Sequence, residues 1–451
     1  MIPWWLKGIV VLKPLIVIYM KRHINVKSTL IVLGLCLVGC IQQDFVRPPV
    51  SEPIEQCVTP IQAISMSVSP DGISTIPDGT LFGAASGDIF YFSNEGDLLW
   101  TKKGIGSVYA LLLDNRKTLL TESYNKEEPW KSTIIKFDSE GNILWERQTG
   151  LIGLDGLAVT PNGSFIAVGA TDEEKNGHVM LFDHNGNKLW DHQIDGRVET
   201  VAVSKNGYVV AGPRDECIYV YNYSGELIFT YPAKSIFDSQ DTAIAPDETY
   251  FLFGSEHTYI NCYTLLGELL WQKEMGPLCT IKISQDSEYI AVGTSNSKLF
   301  LFDRHGNKLW EKKATDAYFV HEVSISAHGE YIVIDAFDDI SFWNFKDYIV
   351  VYNKEGELLW QYHGDEPFLA IAMSDTGQYI AAGNKKVLLF FDNFQAIKEY
   401  KSSECAHNDN TKSQPELAES NTFILLLKVL IVTLAALFIV YYFLKRKKSN
   451  S

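Results

Sequence analysis

The chain has 451 residues, with 39 Lys and Arg against 55 Asp and Glu, a net charge of −16. Residues 1–39 and 423–451 each hold five basic residues and no acid, so the stretch between them carries 29 basic against 55 acidic groups, about −26. Such a surface excludes nucleic acid, which needs a basic footprint, and suits a solvated face outside a cell or a cationic partner.

The N-terminal region reads as a leader over residues 1–39. Met20-Lys-Arg-His-Ile-Asn-Val-Lys27 is a basic segment, and Ile31-Val-Leu-Gly-Leu-Cys-Leu-Val-Gly-Cys40 follows as a short apolar run. This is the order of a secretory signal. Leu37-Val38-Gly39-Cys40 resembles the lipobox of prokaryotic lipoproteins, which implies lipidation at Cys40, a start at Met20 and a lipidated tether over 40–60. The alternative is an uncleaved anchor helix.

From residue 92 onward one pattern recurs seven times: aromatic, then Asp, Asn, Ser or Thr, then x-x-Gly-x-x-x-aromatic. Its glycine and closing aromatic are Gly96 and Trp100, Gly141 and Trp145, Gly186 and Trp190, Gly225 and Phe229, Gly267 and Trp271, Gly306 and Trp310, and Gly356 and Trp360. The glycines are spaced 45, 45, 39, 42, 39 and 50 residues apart. A period of that size with strand-like flanks predicts a β-propeller of four-stranded blades over 61–400. One unit runs from Leu157-Ala-Val-Thr through the turn Pro161-Asn-Gly163 to Phe165–Gly169. His178–Asp183, a His184-Asn-Gly186 turn and a strand beginning Asn187-Lys-Leu-Trp190 complete it. In each turn the Asp or Asn bonds back to the backbone and Gly takes a positive φ. The aromatic then wedges between blades, so these fourteen residues read as structural rather than catalytic.

Turns expected between first and second strands number eight, from Ser69-Pro-Asp-Gly72 to Ser374-Asp-Thr-Gly377. The all-β expectation is therefore eight blades, with seven as the alternative. The last unit keeps Phe391-Asp392 but lacks Gly and Trp; Ile397-Lys-Glu-Tyr400 is its expected outer strand. Residues 401–422 are polar and turn-rich, a stalk. Residues 423–444 are long and apolar enough to span a bilayer. Lys445-Arg-Lys-Lys448, in the tail 445–451, places the C-terminus in the cytoplasm and the propeller outside.

Cys57 precedes the first repeat and Cys405 follows the last. Ring closure brings the two ends together, so these thiols either form a disulfide or stay unpaired. Cys217, Cys262 and Cys279 fall in expected strands as small apolar side chains. Asn162-Gly-Ser164 and Asn222-Tyr-Ser224 match the glycosylation acceptor pattern, although both stand where a turn favours Asn.

Phe182-Asp-His-Asn-Gly-Asn-Lys-Leu-Trp190 and Phe302-Asp-Arg-His-Gly-Asn-Lys-Leu-Trp310 resemble the tryptophan-docking repeat of the pyrroloquinoline quinone (PQQ)-like propeller family, over roughly residues 60–400. The resemblance implies the fold. It also implies either a quinone dehydrogenase holding PQQ and a metal, or a non-catalytic scaffold like the propeller lipoprotein of outer-membrane protein assembly. The adjacent cysteines frequent in the enzymes are missing, as is a cytochrome-type Cys-x-x-Cys-His. Asp335-Ala-Phe-Asp-Asp339 offers three carboxylates to Ca²⁺ but matches no defined calcium loop, and it reads as a solvated acidic loop. The expectation is a membrane-anchored binding scaffold for a protein, peptide or glycan, with no cofactor. The rivals are a quinone- or metal-dependent oxidoreductase and a structural component of the cell envelope.

Overall fold

A computed structural model describes residues 57–403, apart from 66–71, 76–80, 86, 114–117, 125–130, 161, 214–216, 233–240, 256–258, 277, 314–318, 339–345, 365 and 385. The expected leader, lipidated Cys40, the stalk from residue 404, the spanning segment 423–444 and the basic tail lie outside the described residues. Among the described residues no helix is long and apolar enough to cross a membrane.

The described strands make an all-β propeller, every pairing antiparallel, in seven hydrogen-bonded sheets. Six have four strands: residues 153–194, 198–232, 242–274, 278–313, 319–364, and a closing sheet of 368–392 joined by Gln62–Ser65. The remaining sheet, from Gly72–Thr75 to Ile143–Gln148, has seven strands. Counted as sheets, the expected eight blades are therefore corrected to seven. The cause is the strand Leu98–Leu113, which runs unbroken for 16 residues. Its first part pairs backward with Gly87–Ser93, and its second part pairs forward with Thr118–Tyr124. Two sequence repeats thus share one strand and one sheet.

Ring closure departs from the sequence expectation in two places. Gln62–Ser65 does not enter the first repeat through the Ser69-Pro-Asp-Gly72 turn as its inner strand. It pairs with Val387–Asp392 from the far end of the chain, Gln62 opposite Phe390. Nor is Ile397–Tyr400 a strand; it lies within α1, Asn393–Ser402. Asp392 explains the switch. In other units the same side chain closes a turn, and here its Oδ1 accepts from Phe394 N and Gln395 N and caps a helix. Without a following Gly to take positive φ, the capping geometry propagates helically.

Elsewhere the turn signature works as one device. Asp183 Oδ1 accepts from Asn185 N and Asn187 N at 2.9 and 2.8 Å, and Gly186 sits at φ +76°. Asp138 and Asp303 repeat the arrangement. Each indole then reaches the next turn: Trp100 Nε1 donates to Ser139 O, Trp145 to His184 O, Trp190 to Tyr223 O, Trp271 to Arg304 O and Trp310 to Lys354 O, at 2.7–3.1 Å. The acceptor always stands two residues before the next signature glycine. A Cβ on Gly306 would lie 2.7 Å from the Trp271 ring. Gly306→Ala is expected to cost about 1–3 kcal/mol in urea unfolding, from left-handed strain and a displaced indole. Gly104→Ala, at φ +71° with nothing within 4 Å, should lose only the conformational part.

The core is divided among the seams between neighbouring sheets. Leu301, Ile334 and Val350 fill one, Phe251, Phe253 and Val220 another, and Phe92 meets Phe390 across the closure, their ring centroids 5.4 Å apart.

Candidate functional site: the loop end of the ring and its charged inner wall

Because strands alternate in direction, first-to-second and third-to-fourth strand turns share one end of the ring. That end is short-looped and stitched together. Asp286 N donates to Ala327 O, Ala327 N to Asp375 O and Asn206 N to Glu248 Oε1. Arg304 bridges Glu288 and Asp247 at 2.8 and 2.9 Å above the Tyr250 ring. These polar groups are engaged with one another. The opposite end carries the second-to-third strand loops and the sheet-to-sheet connections. In the sequence these connections run over 125–130, 233–240, 314–318 and 339–345, which lie outside the described residues and are unequal in length and composition; Phe342, Trp343 and Phe345 fall in the last.

The innermost strands carry mainly small residues at the positions four and two before each inner turn: Gly156, Ala158, Ala202, Ala243, Ala370 and Ala372. Charge interrupts them on one arc. Asp241 Oδ2 accepts from Ile281 N at 2.9 Å and lies 3.8 Å from Lys282 Nζ. Glu322 Oε2 accepts from Ile371 N at 2.9 Å. Asp335, fully buried, accepts from Glu322 N and lies 3.2 Å from His321 Nδ1. Asp347, also fully buried, accepts from Tyr348 N at 2.8 Å and from Phe368 N.

The cause of these contacts lies in the ring. An innermost strand has no partner on its inner side, so some of its N–H groups need acceptors from outside its sheet. Asp241, Glu322 and Asp347 each supply one to the following sheet. Burial raises the acids: Glu322 is pushed up to about 7, against the pull of Lys282, and Asp347 to about 9, with Asp335 adding repulsion. Burial also raises Asp335, and the hydrogen bond to Asp335 raises His321. Asp241 raises Lys282.

This arc was missed in the sequence, where its signal is a charge at a repeat position that otherwise takes a small residue. The one member noticed, Asp335, was expected in a solvated loop; it stands instead in the strand Tyr331–Asp338, wholly buried. Asp339 lies outside the described residues. Among the described residues no group of three His, Cys, Asp or Glu is placed to hold a metal. Cys57 is disulfide-bonded, Cys262 is a buried free thiol, Cys217 is half-buried in the strand Cys217–Tyr221, and Cys405 lies outside the described residues. Asn162 is exposed and its Oδ1 accepts from Ser164 N; Asn222 Nδ2 donates to Glu226. The arc and the signature residues do not converge, for the signature lies on the outer strands.

Residues 61–235 match the family model PQQ_2, described as outer membrane protein assembly factor BamB. That stretch is a PQQ-like β-propeller repeat domain. No curated protein sequence matches the chain. Among solved structures, the propeller is similar to Chaetomium thermophilum Sqt1 bound to the N-terminus of the ribosomal protein L10. That likeness has 14% identity and a TM-score of 0.59, covering 75% of this chain and 100% of that one. Saccharomyces cerevisiae Sqt1 gives 14%, 0.58, 74% and 99%, and the Dos1 propeller 10%, 0.56, 74% and 96%. At these identities the likeness is one of fold.

Proposed function

We propose that this PQQ-like propeller is a protein-binding scaffold held at the outer side of a membrane, and that it engages its partner at the loop end. The observation that carries the reading is the contrast between the two ends. One consists of standard turns bonded to each other. At the other, the sequence places connecting segments of unequal length between the described strands, one of them with Phe342, Trp343 and Phe345, and such connections are the usual place of recognition on a rigid repeat scaffold. The complex of Sqt1 with the N-terminus of L10 is one case of a similarly folded propeller holding a protein segment.

Anchoring follows from the sequence: a lipid at Cys40, a spanning helix over 423–444 and the basic tail inside. Two tethers would hold the loops near other membrane proteins and raise their effective concentration.

The test replaces 233–240 and 339–345 with Gly-Ser segments of equal length in the full chain, followed by chemical crosslinking on intact cells. The expected result is loss of the crosslinked protein, with an unchanged melting temperature. Arg304→Ala at the other end should leave the crosslink in place. Loss in the Arg304 variant alone would move the site to the turn end.

A further inference from the structure

Two carboxylates on the sheet of residues 319–364 reach across to the closing sheet, and each caps a different amide of the strand Phe368–Met373. Glu322 takes Ile371 N and Asp347 takes Phe368 N. A third crossing contact, Met373 N to Ser324 Oγ at 3.3 Å, does not titrate. This seam adjoins the closure of the ring, where the far ends of the chain meet.

We propose that Glu322 and Asp347 are a proton-operated latch between these two sheets, which holds the closing sheet more tightly as the pH falls and loosens it as the pH rises. The charged neighbourhood favours this direction. Facing Glu322 from the preceding sheet is Lys282, which also lies 3.8 Å from Asp241 at the start of the sheet before that. From their own sheet come Asp335, with His321 at 3.2 Å, and His363, whose ring lies 4.5 Å from that of Tyr348. From the closing sheet, Glu366 and Lys386 are paired at 2.8 Å. Lys282 therefore serves two acids, and Asp347 has a buried acid for a neighbour. Protonation removes this repulsion and keeps a carboxyl oxygen to accept each amide.

The pKa directions agree. Both acids stand above their unfolded values, so the folded seam binds protons more tightly than the open one. Its stability is complete below the unfolded carboxylate range. It falls as the pH rises through about 7 for Glu322 and about 9 for Asp347. The latch is independent of what the loops bind.

Hydrogen exchange of the full chain in detergent, resolved to single amides and corrected for intrinsic rates, reads both contacts. From pH 6 to pH 9, protection at Phe368 and Ile371 is expected to fall about tenfold or more, since one unit of linkage is tenfold in an equilibrium. Protection at Ile290, in the middle of another sheet, should stay constant. Asp347→Asn keeps an accepting oxygen without a charge, so protection at Phe368 should become flat with pH. Glu322→Gln should do the same for Ile371, giving a second readout if one variant folds poorly. Constant protection at both amides in the unsubstituted protein would overturn the latch, as would an unaltered pH dependence in both variants.

Discussion

Trp360→Ala is expected to destabilise the propeller by about 3–5 kcal/mol, the range for deleting a fully buried aromatic. Trp360 is the one signature tryptophan at 0% exposure. Its equivalents are covered by the neighbouring turn and remain partly open, whereas α1 covers Trp360. Its Nε1 donates to Asn393 Oδ1 at 2.6 Å, and its ring packs against Phe391. Ala396 and Tyr400 of α1 belong to the same cluster. Trp271→Ala, at a partly exposed copy with a backbone acceptor, should cost about half as much. Urea unfolding of the two variants checks the difference. Equal losses would mean that α1 adds nothing to the last blade.

The second large effect concerns the ends of the chain. We propose that the partner of Cys57 is Cys405. Cys57 packs against the cluster that includes Ala396 and Tyr400 of α1, and Thr59 N donates to Glu399 Oε2 of the same helix at 3.0 Å. That helix ends at Ser402, and Cys405 follows within three residues. A bridge there closes nearly the whole propeller into one loop. Its removal is expected to cost about 2–5 kcal/mol. Cys57→Ser, Cys405→Ser and the double variant should all lose the same amount, because either single change already breaks the bond. Additive losses, or an intact Cys57 disulfide after Cys405→Ser, would reject the pairing.

Much of the fold was legible because turn chemistry is local. Asp or Asn, then Gly, then Trp states a complete instruction within nine residues. What could not be read depends on partners distant in sequence. Nothing in Gln62-Ala-Ile-Ser65 indicates that it pairs with Val387–Asp392. The chain also has two Pro-Asp-Gly sequences near its start, at 70–72 and 77–79, and the second lies between Gly72–Thr75 and Leu81–Ala85. Ile397-Lys-Glu-Tyr400 alternates like a strand, yet Asp392 starts a helix ahead of it. The charged inner wall was the least legible part. Asp335 and Asp347 look solvated beside Asp338 and Asp339, and only the pairing of Asp335 with Ile349 and of Phe337 with Asp347 brings the two onto neighbouring strands. Glu322, in turn, sits among alternating residues like any exposed strand position.

The central claim, a scaffold rather than an oxidoreductase, is tested most directly by native mass spectrometry of the full chain taken from its own membrane in mild detergent. The account predicts the mass of the chain with its lipid plus a protein partner in fixed stoichiometry. The partner should be absent when loops 233–240 and 339–345 are replaced. A chain carrying the added mass of a quinone or a metal, with no protein partner, would contradict it.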